Sequence, residues 1–162
     1  MGNVIEKIRS GGQSGADRGA FDAARDLGVP IVGWCPKGGW AEDFPSPPGL
    51  LALYPELEET PSSEVNQRTE WNVRDSDATL ILVANGEIAS PGTLLTKDTA
   101  LALGKPLLIA EPRESEKIYG WLKTLGQGIV LNIAGPRESE SPGIYEEVYT
   151  FVKRLLSEFA DG

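Results

Sequence analysis

The sequence predicts an α/β protein of three layers, with helices on both faces of a five-stranded, mainly parallel sheet. Short apolar runs alternate with segments of helical periodicity along the chain, which is typical of parallel strands joined by helices. The runs 78–84 and 106–110 are continuously apolar, as expected of strands buried on both faces. A length of 162 residues suits one core, and no linker or repeat divides it, so 1–162 is interpreted as one domain.

The first half of the chain predicts two strands, two helices and a long connection. The strands cover 4–9 and 29–34, and the helices cover 17–28 and 63–76. Gly28 can end the first helix, because glycine is common just past a helix C-terminus. Residues 35–62 are rich in Pro and Gly and predict no regular element, and so long a loop in a compact domain is usually functional or disordered.

The second half predicts three strands and three helices. The strands cover 78–84, 106–110 and 128–134, and the helices cover 93–104, 114–125 and the amphipathic stretch from Ile144 to Phe159. The expected strand order is 2-1-3-4-5, with 3-2-1-4-5 as the alternative. Ligands bind such sheets beyond the carboxyl ends of the strands, where the winding reverses. The loops that follow the strands are therefore where we expect the site.

The amino-acid composition argues against several classes of ligand and of catalytic site. A net charge of −9 without a basic cluster argues against nucleic acids and anionic membranes as partners. The absence of His and the single Cys exclude a His-based triad, an internal disulfide and a Cys/His zinc site, whereas an oxygen-liganded Mg²⁺ is allowed. No apolar run approaches the length of a membrane span and no signal peptide precedes the first strand, so we expect a cytoplasmic protein. A small anionic ligand remains compatible with the net charge, because salt screens distant charges.

The loop after the first predicted strand has the composition of an anion site. Its glycines permit positive φ and close approach of a ligand to the backbone, and the helix that follows offers unpaired N–H groups. Ser14 can cap that helix or donate to a phosphate oxygen. A tight strand-to-helix turn would also require glycines and remains the alternative. The candidate ligand residues here are Gly11, Gly12, Gln13, Ser14, Gly15 and Ala16.

Two later loops follow the third and fifth predicted strands. Gly92 and Thr93 open a helix, which gives a second set of free N–H groups beside the Thr93 hydroxyl, unless this is simply a capped helix start. Beyond Gly135, Arg137 can give bidentate hydrogen bonds to a phosphate or form a salt bridge with a neighbouring glutamate. Ser139 lies in the same loop, where it can bind the ligand or cap the last helix.

The helix predicted over 63–76 has a mixed polar and aromatic composition that suits a heterocycle. A ring can stack on Trp71 while Glu70 or Asn72 hydrogen-bonds its edge, and Arg68 adds positive charge. A solvated helix with a half-buried Trp71 and internal ion pairs is the alternative. The segment WCPKGGWAEDF, residues 34–44, is a candidate lid.

Five segments together resemble the putative molybdenum carrier family. They are GGQSGADRGAFDAA, GWCPKGGWAED, ETPSSEVNQRTEWNVRDSDATLIL, GTLLT and LNIAGPRESESPGIY, and in this order and spacing they cover nearly the whole chain. The family is similar to the lysine-decarboxylase-like, Rossmann-related superfamily, which binds nucleotide-type ligands and includes phosphoribohydrolases. The resemblance implies a Rossmann-like fold, a carrier of molybdenum cofactor (molybdopterin, a pterin with a phosphate) and a homo-oligomer, either a dimer or a tetramer.

The hydrolase branch of that superfamily has the motif PGGxGTxxE, and this chain departs from it. SPGT at 90–93 aligns with the glycine portion, but Thr96 stands where the resemblance places the catalytic glutamate. A threonine cannot act as a carboxylate base at neutral pH, so no catalytic residue is assigned, Thr96 is kept as a ligand contact, and a binding protein is expected. The alternatives are a nucleotide sensor and a nucleotide-processing hydrolase in which Glu70, Asp17 or Asp75 acts as acid or base with help from Mg²⁺.

Overall fold

Six parallel strands form one sheet with the order β3-β2-β1-β6-β4-β5. The strands are β1 Ile5–Arg9, β2 Ile31–Cys35, β3 Leu57–Glu59, β4 Ala78–Leu82, β5 Leu107–Ala110 and β6 Ile129–Ala134. The computed structural model describes residues 4–88 and 90–160. The α/β class and the parallel sheet expected of a Rossmann-like fold are confirmed.

Six helices occur in the part of the chain that the structure describes, and they pack in two groups. They are α1 Ala16–Asp26, α2 Leu50–Leu53, α3 Val65–Arg74, α4 Pro91–Leu103, α5 Ser115–Leu122 and α6 Ile144–Phe159. α1 packs against α6, and α5 joins them through Tyr119, whose ring centroid lies 5.0 Å from that of Phe159. α3 packs against α4 and β2. None of these helices is long and apolar enough to cross a membrane.

The predicted strand number and both predicted strand orders are wrong. The sixth strand is β3, which lies with α2 inside the Pro- and Gly-rich region 35–62 where no element was expected. At three residues it is too short to show an alternating pattern. The last strand, β6, lies between β1 and β4, whereas β5 is at the sheet edge with most of its side chains only half-buried. Apolar runs in the sequence do not distinguish a central strand from an edge strand of similar length.

The five predicted helices lie where the periodicity places them, with shifts of a few residues at their ends, and α2 is the helix that was not predicted. The largest change at a functional position is α4, which begins at Pro91 rather than at Thr93. Proline is favoured in the first turn of a helix, and the Ser90 hydroxyl caps α4 by accepting the Thr93 N–H at 3.2 Å. The predicted stop at Gly104 is observed, because this residue takes a left-handed conformation with φ 65°.

The insertion of β6 between β1 and β4 positions the site. It brings the carboxyl ends of these three strands together, and Asn132 of β6 pairs in register with Arg9 on one side and Thr79 on the other. Gly135, the residue that follows β6, lies in very close contact with neighbouring residues. A Cβ at Gly135 would lie 2.3 Å from the Leu82 carbonyl oxygen and 2.7 Å from the Ala16 Cβ, so a side chain is excluded here.

Candidate functional site

A cavity of about 260 Å³ opens at this edge of the sheet, among the loops that follow β1, β4 and β6 and the helices α3 and α4. It brings together more than half of the residues that the sequence proposed as ligand contacts. Those that line it are Gly11, Gln13, Arg68, Gly92, Thr93, Thr96, Gly135 and Arg137. Gly12, Ser14, Gly15, Ala16, Glu70, Trp71 and Ser139 are not among its lining residues.

Arg68 is the cation that faces the cavity from α3. The residue is only 7% exposed, and its Nη1 donates to the Gly11 carbonyl oxygen at 3.1 Å. Among the described residues this is the one hydrogen bond of the guanidinium, and none of the ion pairs includes Arg68. Burial lowers the pKa of Arg68, and the charge of Asp17 opposes that shift; a guanidinium nevertheless stays protonated in proteins. Most of its five N–H donors are thus available for an anion.

Asp17, in the first turn of α1, lines the same wall of the cavity. Its Oδ2 accepts the Gln13 N–H at 3.3 Å. Burial raises the pKa of Asp17 to about 6, although the nearby charge of Arg68 lowers it. A Cβ at Gly11 would lie 2.7 Å from Arg68 Nη1 and 3.1 Å from Asp17 Oδ2, so the cation and the acid approach each other above Gly11, and a side chain there would displace the Arg68 guanidinium.

The start of α4 forms another wall and supplies hydroxyl groups. Ser90 Oγ donates to Thr93 Oγ1 at 2.6 Å, which leaves the Thr93 hydroxyl hydrogen for a partner in the cavity. Thr96 Oγ1 donates to the Gly92 carbonyl oxygen at 3.0 Å. Because Pro91 has no N–H and the Thr93 N–H is bound to Ser90, this helix start has fewer free amides than the sequence suggested.

Three of the predicted ligand residues bind the Glu42 carboxylate. Ser14 donates its hydroxyl to Glu42 Oε2, and Ser139 donates through both its hydroxyl (2.5 Å) and its backbone N–H (3.2 Å). Arg137 lies 3.6 Å from Glu42 and 3.3 Å from Glu140, so the salt bridge considered as its alternative is present. Burial would raise the pKa of Glu42, but the hydrogen bonds from Ser139 and Ser14 hold it below its ordinary value.

The other residues of the first loop serve packing. Gly12 faces the apolar core, where a Cβ would lie 3.2 Å from the Leu57 side chain. Gly15 has φ 82°, and a Cβ there would lie 2.4 Å from the Pro136 carbonyl oxygen. The same oxygen accepts the Ala16 N–H at 3.1 Å. These contacts are those of the tight strand-to-helix turn that the sequence left open.

The aromatic side of α3 also lies away from the cavity. The Trp71 ring packs edge-on against Trp34 of β2 with centroids 4.9 Å apart, and Glu70 is exposed. Asn72 does line the cavity, but its amide is bound at both ends, since Oδ1 accepts the Trp34 N–H at 2.8 Å and Nδ2 donates to the Trp34 carbonyl at 3.0 Å. These contacts connect α3 to the sheet and match the alternative reading of a structural helix.

Several cavity residues were not among the predicted ligand contacts. The sequence suggests Asp17 only as a hydrolase acid or base and Trp40 only as part of the candidate lid 34–44, and both line the cavity. Asn132 has a sequence signal, because it is the polar residue within the apolar run of β6; its Nδ2 donates to Thr79 Oγ1 at 3.3 Å. The described residues contain no group of three or more Cys, Asp and Glu side chains that could hold a metal ion.

Residues 8–156 match the circularly permutated YpsA SLOG family. The chain belongs to this family. It is also similar to a solved structure from Syntrophus aciditrophicus described as a putative molybdenum carrier protein, with 38% identity and a TM-score of 0.84 over 96% of this chain and 98% of that one. No curated protein matches the chain. These similarities confirm the resemblance that the sequence motifs showed.

The strand order has the form of a circularly permuted doubly wound sheet, as the description of the family indicates. If β6 is read as the first strand, the sheet order becomes 4-3-2-1-5-6, which is a doubly wound order. The winding then reverses between β6 and β4, and ligands bind such sheets at that reversal. Gly135 and Thr93, which follow these two strands, both line the cavity.

Proposed function

We propose that this SLOG protein binds an anionic heterocycle bearing a phosphate, of the molybdenum-cofactor kind, and acts as a carrier rather than an enzyme. The observation that carries the proposal is Arg68, a buried guanidinium that lines a cavity with most of its donors unused. A buried cation that forms no ion pair among the described residues is costly, and an anionic ligand would lower that cost further than the nearby charge of Asp17 does. The molybdenum part rests on the similarity to the protein described as a putative molybdenum carrier.

The residues around Arg68 fit a phosphate attached to an organic group. Arg68 can bind two phosphate oxygens at once, and the Thr93 hydroxyl can donate to a third. Trp40 lines the cavity and offers the aromatic face that the sequence assigned to Trp71. A second hollow of about 160 Å³ adjoins the first, because Ser90, Thr93 and Glu140 line both, and it gives room for the organic part.

The donor set fits the phosphate of a molybdenum cofactor better than the metal itself. The one Cys of the chain, Cys35, is buried, and burial raises its pKa to about 11. A neutral thiol is a poor metal ligand, and Cys35 is not among the residues that line the cavity. The chain would therefore hold such a cofactor through its phosphate and ring.

A calorimetric titration of the wild type and of Arg68→Gln with molybdopterin, a nucleoside monophosphate and inorganic phosphate tests the proposal. We expect the wild type to bind at least one of these phosphates, and Arg68→Gln to bind about 3 kcal/mol more weakly, roughly a hundredfold. Arg74→Gln is the matched control, because Arg74 lies on the same helix but pairs with Asp75 outside the cavity. Arg137→Ala should cost less than about 1 kcal/mol of binding, since Arg137 is already ion-paired.

Two results would contradict this function. One is a wild-type protein that binds none of the three phosphates, and the other is an Arg68→Gln variant with unchanged affinity. Because Arg68 is buried, Arg68→Lys is measured alongside, and a thermal melt shows whether each variant is folded. Lysine keeps the charge without the bidentate geometry, so we expect Arg68→Lys to have an intermediate affinity.

One observation favours the hydrolase alternative. Of the three carboxylates considered for a hydrolase, Asp17 is the one that lines the cavity. Glu70 is exposed, and Asp75 accepts the Trp34 Nε1–H at 2.7 Å outside the cavity. A buried acid with a pKa of about 6 is suited to proton transfer near neutral pH. Base release from nucleoside monophosphates that disappears in Asp17→Asn would favour the hydrolase, and no release from a full panel would favour the carrier.

A further inference from the structure

We propose that Asp17 makes the cavity selective for anions that carry an O–H or N–H donor beside their charged group, and that it disfavours oxyanions whose oxygens can only accept hydrogen bonds. This inference rests on the proposed function, because it takes binding of an anion at Arg68 as given. It goes beyond that function by naming the chemical class of ligand that the site distinguishes.

An anion bound by Arg68 lies against the Asp17 carboxylate. One point above Gly11, where a Cβ would stand, is 2.7 Å from Arg68 Nη1 and 3.1 Å from Asp17 Oδ2. Both side chains line the cavity, and both are more than nine-tenths buried. A tetrahedral anion that accepts hydrogen bonds from Arg68 therefore presents another of its atoms to Asp17.

The partner that Asp17 requires is a donor. An ionised carboxylate only accepts hydrogen bonds, and Asp17 accepts the Gln13 N–H at 3.3 Å. The nearby Ser10 hydroxyl donates to the Ile133 carbonyl oxygen at 2.8 Å, so most acceptor positions of Asp17 remain free. Two acceptors that face each other in a buried site repel, and water has little access to separate them. Of the other charged cavity residues, Arg137 and Glu140 pair with each other at 3.3 Å, so neither offsets the charge of Asp17.

The ligand class follows from this arrangement. Monohydrogen phosphate qualifies, as does a phosphate ester with a hydroxyl or a ring N–H within reach of Asp17. Sulfate and molybdate near neutral pH do not qualify, because their oxygens carry no hydrogen. Within the proposed function, the site therefore favours an organic, phosphate-bearing form of the cofactor over free molybdate.

Inorganic phosphate and sulfate make a matched test, because at about pH 8 both are tetrahedral dianions and phosphate alone carries an O–H. We expect the wild type to bind phosphate roughly 10- to 100-fold more tightly than sulfate or molybdate, since an unpaired buried polar group discriminates strongly. In Asp17→Asn the preference should fall to about twofold or invert, because the Asn amide can donate to a bare oxygen. Asp43→Asn should keep the wild-type preference, since Asp43 pairs with Arg18 and does not line the cavity.

If the wild type binds phosphate and sulfate with equal affinity, the proposed selectivity is wrong, but the proposed function is not contradicted. A preference for phosphate that persists in Asp17→Asn overturns the role of Asp17. If the wild type binds none of the three anions and no organic phosphate, both the proposed function and this inference are wrong. If Asp17→Asn does not fold, the ratio of the wild-type affinities for phosphate and sulfate still tests the selectivity. Asp17→Ser, with a smaller side chain, then tests the role of Asp17.

Discussion

Arg68 and Arg137 are the same residue type, and the protein gives them different surroundings. Arg68 is buried and has no ion-pair partner among the described residues, whereas the Arg137 side chain is 40% exposed and contacts both Glu42 and Glu140. The electrostatic attraction of an exposed, paired guanidinium for a ligand is weak, because solvent and its own partners screen it. The anion affinity of the cavity should therefore depend on Arg68 far more than on Arg137.

The stability of the protein should depend on pH through Asp17. Its pKa is raised to about 6 in the folded state from an ordinary 3.8, so the folded state binds this proton more tightly than the unfolded state. The stabilisation is complete below about pH 4 and is lost as the pH rises through about 6. The free energy of unfolding of the wild type, relative to that of Asp17→Asn, should thus fall by about 3 kcal/mol between these limits.

Urea denaturation of both proteins across that pH range measures this difference. Asp43→Asn is the control, because the hydrogen-bonded guanidinium of Arg18 lowers the pKa of Asp43, so its contribution is complete above about pH 4 and is lost only at lower pH. The difference between the wild type and Asp43→Asn should therefore stay constant over this pH range. A wild-type curve that stays parallel to the Asp17→Asn curve from pH 4 to above pH 6 would show that Asp17 is not perturbed as described.

At the scale of the element, the segment between β2 and α2 closes one side of the cavity. Trp40 lines the cavity, and the two following acidic residues hold the segment in place. Glu42 binds Ser14 and Ser139, and Asp43 accepts two hydrogen bonds from Arg18, at 2.8 and 3.0 Å. Glu42 thereby joins the loops that follow β1 and β6.

Glu42→Ala should loosen this segment and lower the free energy of unfolding by about 2 kcal/mol, because several donors would lose a charged partner. Urea denaturation measures the loss, and hydrogen exchange should locate it in residues 36–44. Glu70→Ala, on the exposed side of α3, is the control and should cost less than about 0.5 kcal/mol. Equal stability of the two variants would show that Glu42 does not fasten the segment.

At the scale of the whole molecule, α4 leaves an apolar surface uncovered. Its buried residues are Thr93, Thr96 and Ala100, whereas Leu94, Leu101 and Leu103 are 47%, 60% and 48% exposed. Leu94 and Leu101 are seven residues apart and therefore lie on one face of the helix, and exposed leucines that share a helix face are typical of an interface between subunits. We therefore assign the homo-oligomer implied by the sequence resemblance to this helix, as a prediction.

Leu101→Glu should reduce the mass measured by light scattering to that of a smaller assembly or a monomer, because a buried, unpaired charge opposes association. Leu53→Glu, at a residue 50% exposed on α2, is the control and should leave the mass unchanged. A monomeric wild type, or an assembly that survives Leu101→Glu, would contradict the prediction.

The sequence by itself determined the α/β class, five of the six helices in the described residues and the loops that border the cavity. These follow from periodicity and from glycine and proline positions, which are local properties of the chain. It also placed Arg68, Thr93 and Gly135 among the candidate ligand contacts, and all three line the cavity.

The tertiary structure decided the strand order and which polar groups are left without a protein partner. Glu42 contacts Ser139, 97 residues away in the chain, and so takes donors that the sequence had assigned to a ligand. Whether an arginine is free for a ligand depends on such long-range contacts, which local sequence patterns do not encode. For the same reason the proximity of Asp17 and Arg68 above Gly11 depends on the packing of α1 and α3 around the sheet, which the sequence does not show.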